Sequence, residues 1–474
     1  MAMGTRQQRE RQEPLWYRAE LAEAPGHPFY RRLNQVLEQA GFDRHCEEQC
    51  RDFYHEKLGR PSLAPGTYFR LMLLGFFEGI DSERGIAWRV ADSLSLREFL
   101  GYGLNEETPD HVTISRTRRL VEEATHQAVF GWVLRELARS GLLKGKTVGI
   151  DATTLEANAA MKSIVRRDTG ESYTEYLRRL AEAEGLEATD AAALRRMDRR
   201  RAKRTSNEEW VNPHDREAEV TRMKDGRTAL AYKAEQAVDL DTGAIVAVTT
   251  HRGATGDTES IQETLPAAGE AIAGEIATTT PEGQYPVHAE GLQEVVADKG
   301  YHSGAVLADL QAAQVRSYVA EPQRGRQEWV DKAEQQAAVY ANRRRLAGGR
   351  GIALLRRRGE RVERPFAHLF ETGRMRRLHV RGRENVQKKL LLQAVACNLA
   401  LLLRQKLGAG TPRGLHDRVG GLVFAILRLL AVIAARCQAT NEPRRLPQPL
   451  GPSTSRLKIP CRARSKTALL GTGC

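Results

Sequence analysis

Apolar residues follow two regimes along the chain. From Pro61 to Leu137 they recur every three or four positions, the period of helices with one buried face. Ser62 to Gly79 carries Tyr68, Leu71, Met72, Leu74, Gly75, Phe76 and Phe77 after a proline-containing start. Asp81 to Ala91 sets Ile86, Ala87 and Val90 at helical spacing. Leu94 to Leu100 and Ser115 to Leu137 predict two more helices, with Thr108-Pro109-Asp110 as the turn between them and Ser115 as a cap. From Thr147 the period shortens to β-branched runs ended by turn residues. Thr147 to Ile150 predicts a buried strand with Asp151 at its end. Tyr232 to Leu240 and Ala244 to His251 flank Asp241-Thr242-Gly243, a hairpin signal. Asp257 opens a helix to about Ala273, and 278–286 reads as a loop. Val295 to Asp298 is then a central strand, Ser303 caps a helix to about Ala313, and Val315 to Ala320 is one more strand. Lys332 to Arg345 is helical until Gly348, Gly349 and Gly351. Proline disfavours helix in the residue before it but suits the first helical position. A helix is therefore expected to begin at Pro365, with Glu363 at its mouth and Phe366 and Leu369 turned inward. Glu384 to Arg404 forms a last long helix.

The order of strand, insertion, two strands, helix, strand, helix, strand predicts an α/β fold. It is an RNase H-like mixed sheet flanked by helices, preceded by an all-α N-terminal domain. The expected division is a charged helical segment at 1–60, a helical domain at 61–145 and a sheet domain at 146–407. The last carries a charged helical insertion at about 162–230. Residues 408–474 read as a tail, partly helical and then disordered, since Asn441 to Cys474 is rich in Pro, Ser, Thr and Arg.

Charge sharpens this picture. The 474 residues carry a net charge of +13, which suits a polyanionic partner, most simply nucleic acid. Between Ala341 and Arg383 stand 14 arginines, no lysines and 3 glutamates, a local net of +11. Arginine suits bidentate phosphate contacts. Arg116, Arg118 and Arg119 make a second basic cluster, and 195–204 a third, on the insertion. The six cysteines, Cys46, Cys50, Cys397, Cys437, Cys461 and Cys474, are too sparse for a disulfide scaffold. His45, Cys46 and Cys50 lack a second half-site at zinc spacing, and read as a surface helix with incidental thiols. The N-terminus has no signal-peptide core, and the apolar run Leu422 to Ala435 is too short to span a bilayer, so a cytoplasmic, nucleoid-associated protein without a membrane is expected.

Acids after apolar strands bear on chemistry. Asp151 follows the first strand and Asp298 a later one that should lie beside it, while Glu363 sits in the arginine-dense region. Three acids on neighbouring elements could hold two divalent ions for phosphoryl transfer. Asp239, Asp241, Asp257, Glu360 and Glu371 compete. Asp241 reads as a turn residue, Asp257 as a helix N-cap, and Asp239 as a residue that could face solvent.

Three blocks carry a resemblance. They are Gly149-Ile150-Asp151-Ala152-Thr153, then 297–303 from Ala297 to Ser303, then 358–369 from Arg358 to Leu369. They resemble the acid-bearing blocks of bacterial insertion-sequence DDE transposases. Pro61 to Arg119 resembles the InsH-like, DNA-binding N-terminal domain of that group, and Tyr340 to Arg345 and Met375 to Asn385 resemble further blocks. The resemblance spans roughly Pro61 to Arg404. It implies an RNase H-like catalytic core, Mg²⁺ (two ions, with Mn²⁺ able to substitute), cleavage at terminal inverted repeats and strand transfer to target DNA. It also implies Asp151, Asp298 and Glu363 as catalytic, metal-holding acids, and a homodimer on paired DNA ends. The tyrosine-arginine-glutamate-lysine pattern of related transposases is not met, because Gly359 stands four residues before Glu363 and Phe370 seven after. Arg343, Arg344, Arg358, Arg364, Arg376, Arg377, His379, Arg381 and Lys388 are the DNA-contacting candidates. Two other readings stand beside this one: a DNA-end-binding protein or decayed transposase that cannot cut, and a host nuclease of the same fold.

Overall fold

The structure, a computed structural model, describes residues 26–55, 62–185, 190–200, 206–277, 286–323, 325 and 327–417. The Leu422 run, the Asn441 to Cys474 tail and most of the 278–286 loop lie outside them. The described residues form one compact unit.

Seven helices come first: α1 (Pro28–Gln39), α2 (Phe42–Cys50), α3 (Pro65–Glu78), α4 (Glu83–Ala91), α5 (Leu94–Leu100), α6 (His111–Leu120) and α7 (Glu123–Arg139). Local sequence explains most of their ends. Proline at the first turn opens α1 and α3, and Ser82 and Ser93 cap α4 and α5. The single helix expected from Ser115 to Leu137 is two. Asp110, not Ser115, caps the first, accepting the Thr113 N–H at 2.7 Å. Val121 and Glu122 are extended, and the Val121 side chain is buried where the chain turns. Cys46 and Cys50 are wholly buried on α2, so that helix is core rather than surface. Arg70 is buried too. Its guanidinium donates to both Asp43 oxygens at 2.9 Å and to Asn34, and it packs by the Phe42 and Phe99 rings. One cation thus ties α1, α2, α3 and α5.

Next come β1 (Thr147–Glu156), β2 (Val165–Arg166), α8 (Tyr173–Ala183), α9 (Ala191–Arg200), β3 (Trp210–Val211) and β4 (Glu219–Arg222). The insertion is therefore only partly helical. β2 and β3 make a small sheet, Leu177, Ala181 and Leu194 a small core of their own, and β4 joins the main sheet.

The rest is β5 (Thr228–Asp239), β6 (Ile245–Arg252), α10 (Asp257–Ala273), β7 (Glu294–Ala297), α11 (Gly304–Ala312), β8 (Arg316–Val319), α12 (Ala333–Ala347), α13 (Gly349–Glu371) and α14 (Arg383–Leu407). β5 pairs antiparallel with β1 on one side and with β4 and β6 on the other. β7 pairs parallel with β1, and β8 parallel with β7. This mixed sheet with helices on its faces is RNase H-like, as the strand order predicts.

Two helices depart from expectation. α13 does not begin at Pro365. It starts after Gly348 and runs 23 residues with Pro365 inside it. Val362, Pro365, Phe366 and Leu369 are all buried, and their packing holds the helix through a residue that removes one backbone donor. Asp257 is the first helical residue of α10, and Gly256 takes the cap position. α14 lies across both regions, packing on α3 and α7 on one side and on β6 on the other. Its Asn398 amide pairs with both the N–H and the C=O of Ile245 at 2.9 Å, covering an edge strand. Among the described residues one helical stretch, Arg383–Asp417, is long and apolar enough to cross a membrane, and it is mostly buried within the fold.

Candidate active site

The parallel register of β1 and β7 runs Thr147 to Glu294, Val148 to Val295 and Gly149 to Val296. Two residues further along are Asp151, still on β1, and Asp298, the first residue after β7. Asp151 is not at a strand end, since β1 continues to Glu156 on its pairing with β5. It stands just where the β7 partner leaves the sheet. The edge of β1 is open there, and side chains from two strands can meet.

Arg358 of α13 joins them. Its Nη2 lies 3.0 Å from Asp151 Oδ1 and 3.7 Å from Asp298 Oδ2, and the guanidinium also donates to the Ile150 carbonyl at 3.2 Å. Asp298 accepts the Gly300 N–H at 2.9 Å, which closes the short helical turn Lys299–Tyr301 after β7. Burial pushes the Asp151 carboxyl above its ordinary range. Arg358 and the Ala152 N–H pull it back down, and the negative charge of Asp298 adds to the rise.

α13 approaches this closely because Gly149 has no side chain. A Cβ there would stand 2.7 Å from Val362 Cγ2 and 2.6 Å from Leu240 Cδ2. Gln236, opposite Asp151 on β5, donates to the Val362 carbonyl at 2.9 Å and pins the helix.

Glu363 is not brought to the pair. It is exposed in the middle of α13. Five residues separate it from Arg358, about 140° around a helix of 3.6 residues per turn, so the two leave α13 on different sides. Among the described residues no three His, Cys, Asp or Glu side chains are grouped to hold a metal. Two carboxylates converging on one cation nonetheless suit a hard divalent ion in their donor chemistry.

The competing acids are accounted for. Asp239 is wholly buried rather than solvent-facing, and accepts the N–H groups of Lys144, Gly145 and Asp241 at 2.6, 3.1 and 2.9 Å. Asp241 pairs with Arg357 at 2.6 Å, and Asp257 with Lys233 at 2.6 Å. Glu360 and Glu371 are exposed on α13.

The DNA-contacting candidates divide. Arg344, Arg364 and Arg376 are exposed, Arg376 with its guanidinium over the Phe370 ring. Arg343, Arg377, Arg381 and His379 are also exposed, but each meets a protein partner: Glu321, Glu156, the Asn158 carbonyl and Asp81. Arg358 is turned to the acids. Lys388 is buried, bonded to Glu384 at 2.6 Å and near the Arg118 carbonyl at 3.4 Å, inside the seam between α6 and α14. Arg118 is in that seam too, paired with Glu83 at 2.6 Å, which leaves Arg116 and Arg119 as the exposed members of its cluster. The described basic residues of 195–204, namely Arg195, Arg196, Arg199 and Arg200, are exposed on α9, and Arg201 to Arg204 lie outside the described residues.

Residues 18–120 match a family model described as a transposase domain (DUF772), and residues 197–399 match one described as a transposase DDE domain. Asp298 and Glu363 fall inside the second match, and Asp151 falls between the two. No curated protein matches the chain.

Proposed function

We propose, for a chain that belongs to the insertion-sequence DDE transposases, that it binds the terminal inverted repeats of its element and cuts and joins DNA at Asp151 and Asp298. One observation carries the reading. Asp151 on β1 and Asp298, 147 positions later and just past the end of the adjacent parallel strand β7, share a single cation, Arg358. Asp151 and Asp298 would hold Mg²⁺, or Mn²⁺ in its place, through hard carboxylate oxygens. An ion held there would supply an activated water and charge for the leaving oxygen of a phosphodiester. Arg358, released from the pair, offers a bidentate fork to phosphate. Glu363 is the third acid of the proposal. The exposed arginines of α13 and the segment after it, with Arg116 and Arg119 of α6, supply the backbone contacts that orient the DNA. Two copies on paired ends make the working unit.

The experiment is cleavage of DNA bearing the element's ends, with and without Mg²⁺. Asp151→Asn and Asp298→Asn should each abolish product while leaving the circular-dichroism spectrum and Tm close to those of the parent. Glu363→Gln should do the same, and wild-type rates in that variant would remove Glu363 from the site. Wild-type rates in Asp151→Asn would end the assignment. Binding without any metal-dependent product in the parent would favour an end-binding protein that cannot cut. Cutting without preference for the ends would favour a nuclease.

A further inference from the structure

The turn that carries Asp298 is anchored from inside the protein. Tyr301, three residues after Asp298 and 1 % exposed, donates its hydroxyl to Glu235 Oε1 at 2.7 Å. Glu235, on β5, is wholly buried. It also accepts from Ser260 Oγ at 2.6 Å and from Thr264 Oγ1, both on α10. Lys233, two residues earlier on the same face of β5, donates to Ser260 Oγ at 2.8 Å, to Asp257 Oδ1 at 2.6 Å and to the Thr255 carbonyl at 3.2 Å. Gly300, between Asp298 and Tyr301, lies against the start of α10. A Cβ there would stand 2.1 Å from Asp257 Oδ2.

A buried carboxylate is costly unless its oxygens are satisfied, and an apolar pair would fill this space without that cost. Here three hydroxyl donors converge on one carboxylate, and one of them belongs to the turn beside the reactive acid. A fully satisfied side-chain network of this kind rigidifies the groups it joins.

We propose that Glu235 and Tyr301 are positioning residues for Asp298. Their hydrogen bond fixes the turn Lys299–Tyr301 so that the Asp298 carboxylate stays beside Asp151 when the pair takes up a divalent ion. The inference rests on the reading of Asp151 and Asp298 as the metal-holding pair.

The test measures Mn²⁺ binding to the full chain by calorimetry, with no DNA present. Asp151→Asn and Asp298→Asn serve as controls. Tyr301→Phe removes one hydroxyl and little volume. It should raise the half-saturating Mn²⁺ concentration about tenfold, the usual scale for loss of a group that orients a metal ligand. Glu235→Gln, which keeps an acceptor oxygen for Tyr301, should cost less than Tyr301→Phe. Thr264→Val loosens the same network on its far side, and should lower Tm without moving Mn²⁺ affinity. Unchanged affinity in Tyr301→Phe, with binding lost in both Asp variants, would overturn the positioning role alone. Unchanged affinity in the Asp variants would overturn the metal-holding pair and this inference with it. An equal loss in Thr264→Val and Tyr301→Phe would reduce the network to a general stabiliser.

Discussion

Gly149 shows how much can hang on a missing side chain. It is the point where α13 meets β1, and through it Arg358 reaches Asp151. Adding a methyl group meets two apolar side chains well inside contact distance. Gly149→Ala should therefore destabilise the protein by about 1–3 kcal/mol, the scale of overpacking a filled core. Urea unfolding checks this, and a midpoint equal to the parent's would mean that α13 shifts freely. At this scale, part of the site was legible. Asp151 and Asp298 announce themselves because each follows a short apolar run, and parallel pairing brings those runs together. Glu235 and Tyr301 gave no such signal. A glutamate between apolar positions reads as solvent-facing until α10 covers that face of β5. Arg358 reads as a phosphate contact because sequence shows its charge but not its direction. Arg70 is hidden in the same way, as one charge in an apolar helix whose partner, Asp43, stands 27 positions earlier.

Among the elements, helix and strand existence was more legible than helix ends. Periodicity alone joins α6 to α7, since apolar spacing continues across Val121. The bend comes from where that valine is buried. The proline rule misplaced the start of α13, because that rule is local and the packing of Val362, Phe366 and Leu369 is not. The α3–α7 contact allows a test by pH. His126, on α7, is buried. Its Nδ1 faces the Glu122 carbonyl at 2.8 Å, which can only accept, so Nδ1 carries the proton and Nε2 accepts the Tyr68 hydroxyl at 3.1 Å. Burial holds this imidazole neutral, pushed down to about 4. The unfolded chain takes up the proton first. Stability should thus be intact above about pH 6.5 and fall as pH drops toward 4, by up to about 3 kcal/mol. Denaturant unfolding of the parent and of His126→Gln across that window is the measurement. A parent slope no steeper than the variant's would refute it.

For the whole molecule, net charge pointed to a polyanion, and the family matches agree with that direction. Charge counts overstated the surface on offer, since Arg358 and Lys388 are spent inside the fold. The basic faces still exposed set an expectation for DNA binding. Affinity should fall steeply with salt, and replacing both Arg344 and Arg376 by alanine should lower the log–log slope by about one unit for each phosphate no longer neutralised. Filter binding at several salt concentrations reads this, and identical slopes would remove those two arginines from the interface.

α14 has one more consequence. It forms a wall of the helical region through α3 and α7 and a cover for the sheet through β6. A copy whose reading frame breaks before Arg383 therefore loses both halves at once. Such a fragment is not expected to persist as a folded competitor for DNA. Damage upstream of this one helix is expected to yield silence rather than inhibition.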